Sequence, residues 1–141
     1  MNKSSEFLEC ANCTCFAARR GARAITQLYD RYLRPAGLKA TQFTLLAFLV
    51  QSDSLPLSQV ADRLGMERTT LTRNLQPLIL KGYVEVTTGK DQRVRMIEIT
   101  DQGVAAAKRA LPYWTEAQQK ITDQLAPATL LAVAELARVS A

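Results

Sequence analysis

Residues 55–100 read LPLSQVADRLGMERTTLTRNLQPLILKGYVEVTTGKDQRVRMIEIT, and this stretch decides the fold. Leu57 to Leu64 is a short amphipathic run that Gly65 stops, with Ser58 at the expected N-cap, where a hydroxyl accepts from free backbone amides. Leu71, Leu75 and Leu78 then recur at i, i+4 and i+7, the apolar face of a second helix. At 3.6 residues per turn Thr69, Arg73 and Gln76 fall opposite that face, with Thr70 and Thr72 on its flanks. Two short helices joined by a tight glycine turn, the second presenting hydroxyls and a guanidinium, form a helix-turn-helix. Gly82 is placed to end the second helix as its C′ residue. Val84 to Thr88 and Val94 to Thr100 have strand character and flank the loop Gly89-Lys90-Asp91-Gln92-Arg93. A hairpin with a cationic tip after the recognition helix is a wing. Leu55-Pro56-Leu57 can add a short edge strand to it, since proline tolerates an edge.

The stretch resembles the MarR family of bacterial transcription regulators. The matching residues are Leu57 to Leu64, then Arg68-Thr69-Thr70-Leu71-Thr72-Arg73, then Leu78 with Gly82-Tyr83-Val84. Asp91-Gln92-Arg93 in the wing, followed by Ile99-Thr100-Asp101-Gln102-Gly103, is the most specific part of the match. Two positions depart from the family pattern: Glu67 replaces the usual small N-cap residue, and Pro77 lies inside the recognition helix. Proline there removes the amide that would bond the Arg73 carbonyl.

The resemblance implies a mainly α fold with a small β wing: a winged helix-turn-helix with N- and C-terminal dimerisation helices. Residues 1–36 and 101–141 would dimerise, and residues 37–100 would form the DNA-binding lobe. It implies a homodimer, in this family most often a repressor, on a pseudopalindromic double-stranded operator. Thr69, Thr70, Thr72 and Arg73 would read or flank bases, with Arg68 and Asn74 nearer phosphates. Arg93 would reach the minor groove, held by Asp91, while Lys90 and Arg95 grip the backbone. A small-molecule effector would sit between the dimer helices and the DNA-binding lobe, with Arg19, Arg23, Tyr29 and Trp114 as lining candidates. The bland alternative for these four is a solvated cationic face and core packing.

Charge agrees with that direction. The chain carries net +5, and Arg63 to Arg95 alone holds seven basic against three acidic residues. Residues 101–141 balance at four of each sign, so the excess sits on the proposed recognition elements, the footprint of a phosphate-backbone binder. With 141 residues the chain is long enough for one domain and a sizeable core. No apolar run approaches the roughly 20 residues of a spanning helix, so no membrane partner is expected. The polar start Met1 to Glu6 lacks the pattern of a signal peptide, which points to the cytoplasm. The count of histidines is 0, which excludes His-based catalysis. No enzyme activity, metal or cofactor is expected.

Working outward, residues 1–9 carry no pattern, and Cys10, Cys13 and Cys15 follow within six positions. A four-ligand zinc site within the chain would need Glu9 as well; three thiolates suit a trigonal metalloid better. A thiol switch and plain packing are the other readings. Ala18, Ala22, Ile25, Tyr29 and Tyr32 then mark an amphipathic helix ended by Pro35 and Gly37. Thr41 is placed to cap the next helix, whose Phe43, Leu46, Leu49 and Val50 are expected in the core. After the wing, Thr100 is the expected N-cap of a helix from Asp101 to about Leu125, interrupted by Pro112. Ala126-Pro127 starts a last helix whose Leu130, Leu131, Val133, Leu136 and Val139 call for a partner. Two alternatives remain: a small cytosolic thiol enzyme using the cysteine cluster, and a winged helix that binds only protein.

Overall fold

A computed structural model describes residues 4–139 of the chain. Its order is α1 (Thr14–Leu33), α2 (Ala40–Val50), β1 (Leu55–Pro56), α3 (Leu57–Leu64), α4 (Arg68–Leu80), β2 (Val84–Thr88), β3 (Arg95–Ile99), α5 (Asp101–Gln124) and α6 (Pro127–Glu135). Short 3-10 turns precede α1 at Ser5–Asn12, follow it at Arg34–Ala36 and extend α6 at Leu136–Arg138. The fold is the expected winged helix-turn-helix between long helices.

The core is built around α2, where Leu45, Leu46, Leu49 and Phe43 are buried. The stripe Leu71, Leu75 and Leu78 seats α4 on it, and Val60 and Ala61 bring in α3. Small residues Ala106, Ala107 and Ala110 let α5 approach α2 closely, while Ala117 and Ile121 are buried further along α5. Leu33 at the end of α1 joins the same cluster, so one core runs through the lobe and the flanking helices. Val50, expected inside, is exposed because it is the last residue of α2 and stands at the rim of a cleft shared with Ala107 and Leu111 of α5.

Both glycine turns of the helix-turn-helix use the same device. Gly65 has φ 64° and Gly82 has φ 76°, backbone that an L side chain resists. Met66 and Tyr83 amides reach back to the Ala61 and Leu78 carbonyls at 2.9 Å, which satisfies the open helix ends. Pro77 lies inside α4 as read, and the helix continues past it to Leu80.

Two expected caps are corrected. Ser58 is the second residue of α3; the N-cap is Pro56, and no side chain caps that helix. Thr41 lies inside α2, whose N-cap is Lys39; the Ala40 amide donates instead to Asp30 Oδ1 of α1 at 2.7 Å. The cap is thus tertiary and ties α1 to the lobe. Thr100 performs as expected: it accepts from the Gly103 amide at 3.0 Å and donates to the Gly82 carbonyl at 2.6 Å.

The three strands form an antiparallel sheet in the order β1-β3-β2, with Val86 opposite Ile97 and Leu55 on the other side of Ile97. Edge strand β1 therefore sits where its proline allowed it. Among the described residues no helix is long and apolar enough to cross a membrane. The first turns of α1 are exposed throughout, and α6 leaves Leu131 and Val133 in the open.

Candidate nucleic-acid interface

The start of α4 and the wing form one cationic face. Arg68 is the first residue of α4 and Arg95 the first of β3; with Arg93 they border a cleft of about 320 Å³. Thr72 lies one turn beyond Arg68 and faces the same cleft. Thr69, Thr70 and Arg73 are exposed on α4 outside it, and Asn74 is half-buried. Lys90 and Asp91 are exposed in the wing loop.

That loop is tightly closed. The Gly89 amide donates to the Val94 carbonyl at 2.8 Å, and the Val94 amide to the Asp91 carbonyl at 2.9 Å. Asp91 Oδ1 accepts from the Arg93 backbone amide at 3.0 Å and from its Nε at 3.3 Å. A second guanidinium nitrogen reaches Asp91 Oδ2 at 3.3 Å. The Arg93 amide first, and its guanidinium second, hold the Asp91 carboxyl below its ordinary value. An ion pair this exposed adds little stability; it holds the guanidinium against Asp91 while leaving it open to solvent.

The sequence assigned no role to part of the cleft lining. Pro56, Leu57 and Ser58 line it from the β1–α3 junction, together with Val94. The pairing of β1 with β3, expected from Leu55-Pro56-Leu57, brings them there across about forty residues; that the junction shares a cleft with Arg68 and Arg93 was not read. Lys81 was counted in the basic face, but its Nζ donates to the Gly37 carbonyl at 2.8 Å and pins the far end of α4 to the turn before α2.

The candidate effector residues are only partly together. Tyr29 and Trp114 line a small cleft of about 140 Å³ between α1, α2 and α5. Trp114 stacks on Phe43 with ring centroids 6.1 Å apart, and the Tyr29 hydroxyl donates to Gln118 Oε1. Burial raises the Tyr29 pKa, so the phenol stays neutral. Arg19 and Arg23 do not line that cleft; they are exposed further back on α1.

Cys10, Cys13 and Cys15 are free and exposed, so packing in the core of this chain is ruled out. Cys13 is the N-cap of α1, its Sγ accepting from the Phe16 amide at 3.5 Å. Among the described residues no group of three Cys, Asp or Glu is placed to hold a metal, so trigonal metalloid ligation is not assembled within the chain.

A recognition helix and a wing that share one cationic cleft define the class of winged helix-turn-helix regulators. A sequence model of the MarR family matches residues 36–93, and the chain belongs to that family. It is similar to the Mycobacterium tuberculosis transcriptional regulator MosR, crystallised in complex with DNA: 42% identity, TM-score 0.82, covering 89% of this chain and 94% of that one. It is 30% identical over 92 residues to the regulator SarZ of Staphylococcus aureus, a match spanning 64% of this chain but 62% of SarZ. A mutant of Escherichia coli MarR, crystallised with operator DNA, shares the fold at TM-score 0.78 and 22% identity, covering 96% of this chain and 97% of that one.

Proposed function

We propose that the protein is a homodimeric transcriptional regulator, a repressor, that binds a pseudopalindromic operator in double-stranded DNA. The observation that carries this is the cleft where Arg68, Arg93 and Arg95 meet beside the exposed Thr69, Thr70 and Arg73. α4 enters the major groove, where Thr69, Thr70 and Arg73 meet base edges and Asn74 lies nearer the backbone. Arg93, held by Asp91, reaches the minor groove; Lys90 and Arg95 grip phosphates on either side. Residues 1–36 and 101–141 pair two copies, burying the apolar side chains that α1 and α6 leave exposed in one protomer.

Release is proposed to follow oxidation of the cysteines. A peroxide oxidises one thiol to a sulfenic acid with loss of water; a second thiol displaces the hydroxyl as water and forms a disulfide. Because Cys13 caps α1, a bond at its sulfur acts on the start of a dimer helix and so on the spacing of the two recognition helices. A small ligand bound beside Tyr29 and Trp114 is the second route to release, supported by the cleft that these two share.

Arg93→Ala tests the DNA reading. It should weaken operator binding sharply in a gel-shift titration while the dimer persists in sedimentation. The wing tip is solvated, so the substitution should cost at most about 0.5 kcal/mol of stability. Unchanged affinity would remove the wing from the interface.

A further inference from the structure

We infer that the cleft between α3, α4 and β3 is a seat for one backbone phosphate of the DNA, and that Ser58 is a neutral positioning contact within it. The inference deepens the DNA-binding reading and rests on it. Arg68, Arg93 and Arg95 line the cleft and no Asp or Glu does. Asp91 matches the charge of Arg93; among the described residues Arg68 and Arg95 make no ion pair. Like charges converging on one concave site create a potential that an anion relieves. The anion that a duplex offers at fixed positions is its phosphate.

Ser58 is the one hydroxyl that α3 contributes to this lining, and Thr72 is the one from α4. Pro56 stands at the N-cap, so the Ser58 hydroxyl is not committed to capping and is free to donate to a phosphate oxygen. The three positively charged or hydroxyl-bearing elements come from separate parts of the chain: the second residue of α3, the first of α4 and the first of β3. One phosphate held between them fixes the recognition helix and the wing at a single distance on the duplex. Ser58 and Arg68 then touch no base, yet set the depth at which Thr69, Thr70 and Arg73 meet base edges.

The test uses the whole protein and fluorescence anisotropy on two duplexes, an operator selected from a random pool of DNA and an unselected sequence, across a salt series. Ser58→Ala should lower affinity about tenfold on both duplexes, the effect of one hydrogen bond to a charged group. The slope of log K against log salt should stay unchanged, because serine carries no charge. Arg68→Ala should flatten that slope by about 0.9 for each phosphate it no longer neutralises. Ser58→Thr, which keeps the hydroxyl, should retain wild-type binding. Operators are then made with single phosphates replaced by neutral methylphosphonate. At one position in each half-site the replacement should weaken the wild type, yet cost Ser58→Ala much less. A Ser58→Ala protein that binds like wild type, or penalties that add at every position, would overturn the phosphate seat. A wild type with no salt-dependent affinity for any duplex would overturn the DNA-binding reading itself.

Discussion

Gly103→Ala sets two effects of opposite sign against each other. Gly103 lies in the first turn of α5, where alanine is favoured over glycine by about 1 kcal/mol of helix propensity. A Cβ there, however, would stand 2.1 Å from the Tyr83 carbonyl oxygen and 2.6 Å from Ile99 Cγ1. Ordinary contact begins near 3.4 Å, so the carbonyl must retreat by more than about 1 Å. It is not free to do so, because it accepts the Thr100 amide at 3.0 Å. Overpacking against backbone costs about 3 kcal/mol, which leaves a net loss of about 2 kcal/mol. Urea unfolding at matched protomer concentration should show the midpoint lowered by roughly 1 M, given a slope near 2 kcal/mol/M. A midpoint equal to or above wild type would refute the argument, since propensity alone would then have decided the outcome.

Thr100→Ala removes both the α5 cap and the bond to the Gly82 carbonyl, and should cost roughly 1–2 kcal/mol in the same urea series; no change would deny the residue its double role. Asp91 has a folded-state pKa below its ordinary 3.8, so its stabilising contribution is present above that value and fades as pH falls through the lower, folded-state pKa. Carbon NMR should place the Asp91 midpoint below 3.8, and Arg93→Ala should raise it only in part, since the residue 93 amide still donates. An identical midpoint in that variant would exclude the guanidinium as a cause. Peroxide should lower operator affinity of the wild type and leave a variant with Cys10, Cys13 and Cys15 all changed to Ser unaffected. Equal responses would remove the thiols from the signal.

The helix-turn-helix and wing were legible because their signals are local. The Leu71, Leu75, Leu78 stripe, the glycine turns and the Asp91-Gln92-Arg93 tip each lie within a few residues of what they specify. Of the two misplaced caps, one has its partner elsewhere in the fold and the other has no side-chain partner. Ala40 is capped by Asp30, ten residues upstream across a turn, which left Thr41 without a capping role. Ser58 looked like a cap until β1 paired with β3 and Pro56 took the N-cap position. The edge strand was legible, but not that its pairing with β3 makes the β1–α3 junction line one cleft with Arg93 and Arg95. The Ser5–Asn12 turn was not read at all, since it buries nothing and so leaves no hydrophobic period in the sequence. Arg19 and Arg23 were grouped with Tyr29 and Trp114 because the family resemblance implies an effector site between the dimer helices and the DNA-binding lobe. The structure leaves the two arginines exposed nearer the start of α1 and outside the cleft that Tyr29 and Trp114 line.

Selection of binding sites from a random pool of duplex DNA tests the central claim most directly. Two recognition helices held by α1, α5 and α6 of paired protomers should enrich an inverted repeat with half-site centres about one helical turn, roughly 34–36 Å, apart. Enrichment of a single asymmetric site, or of no sequence at all, would contradict it.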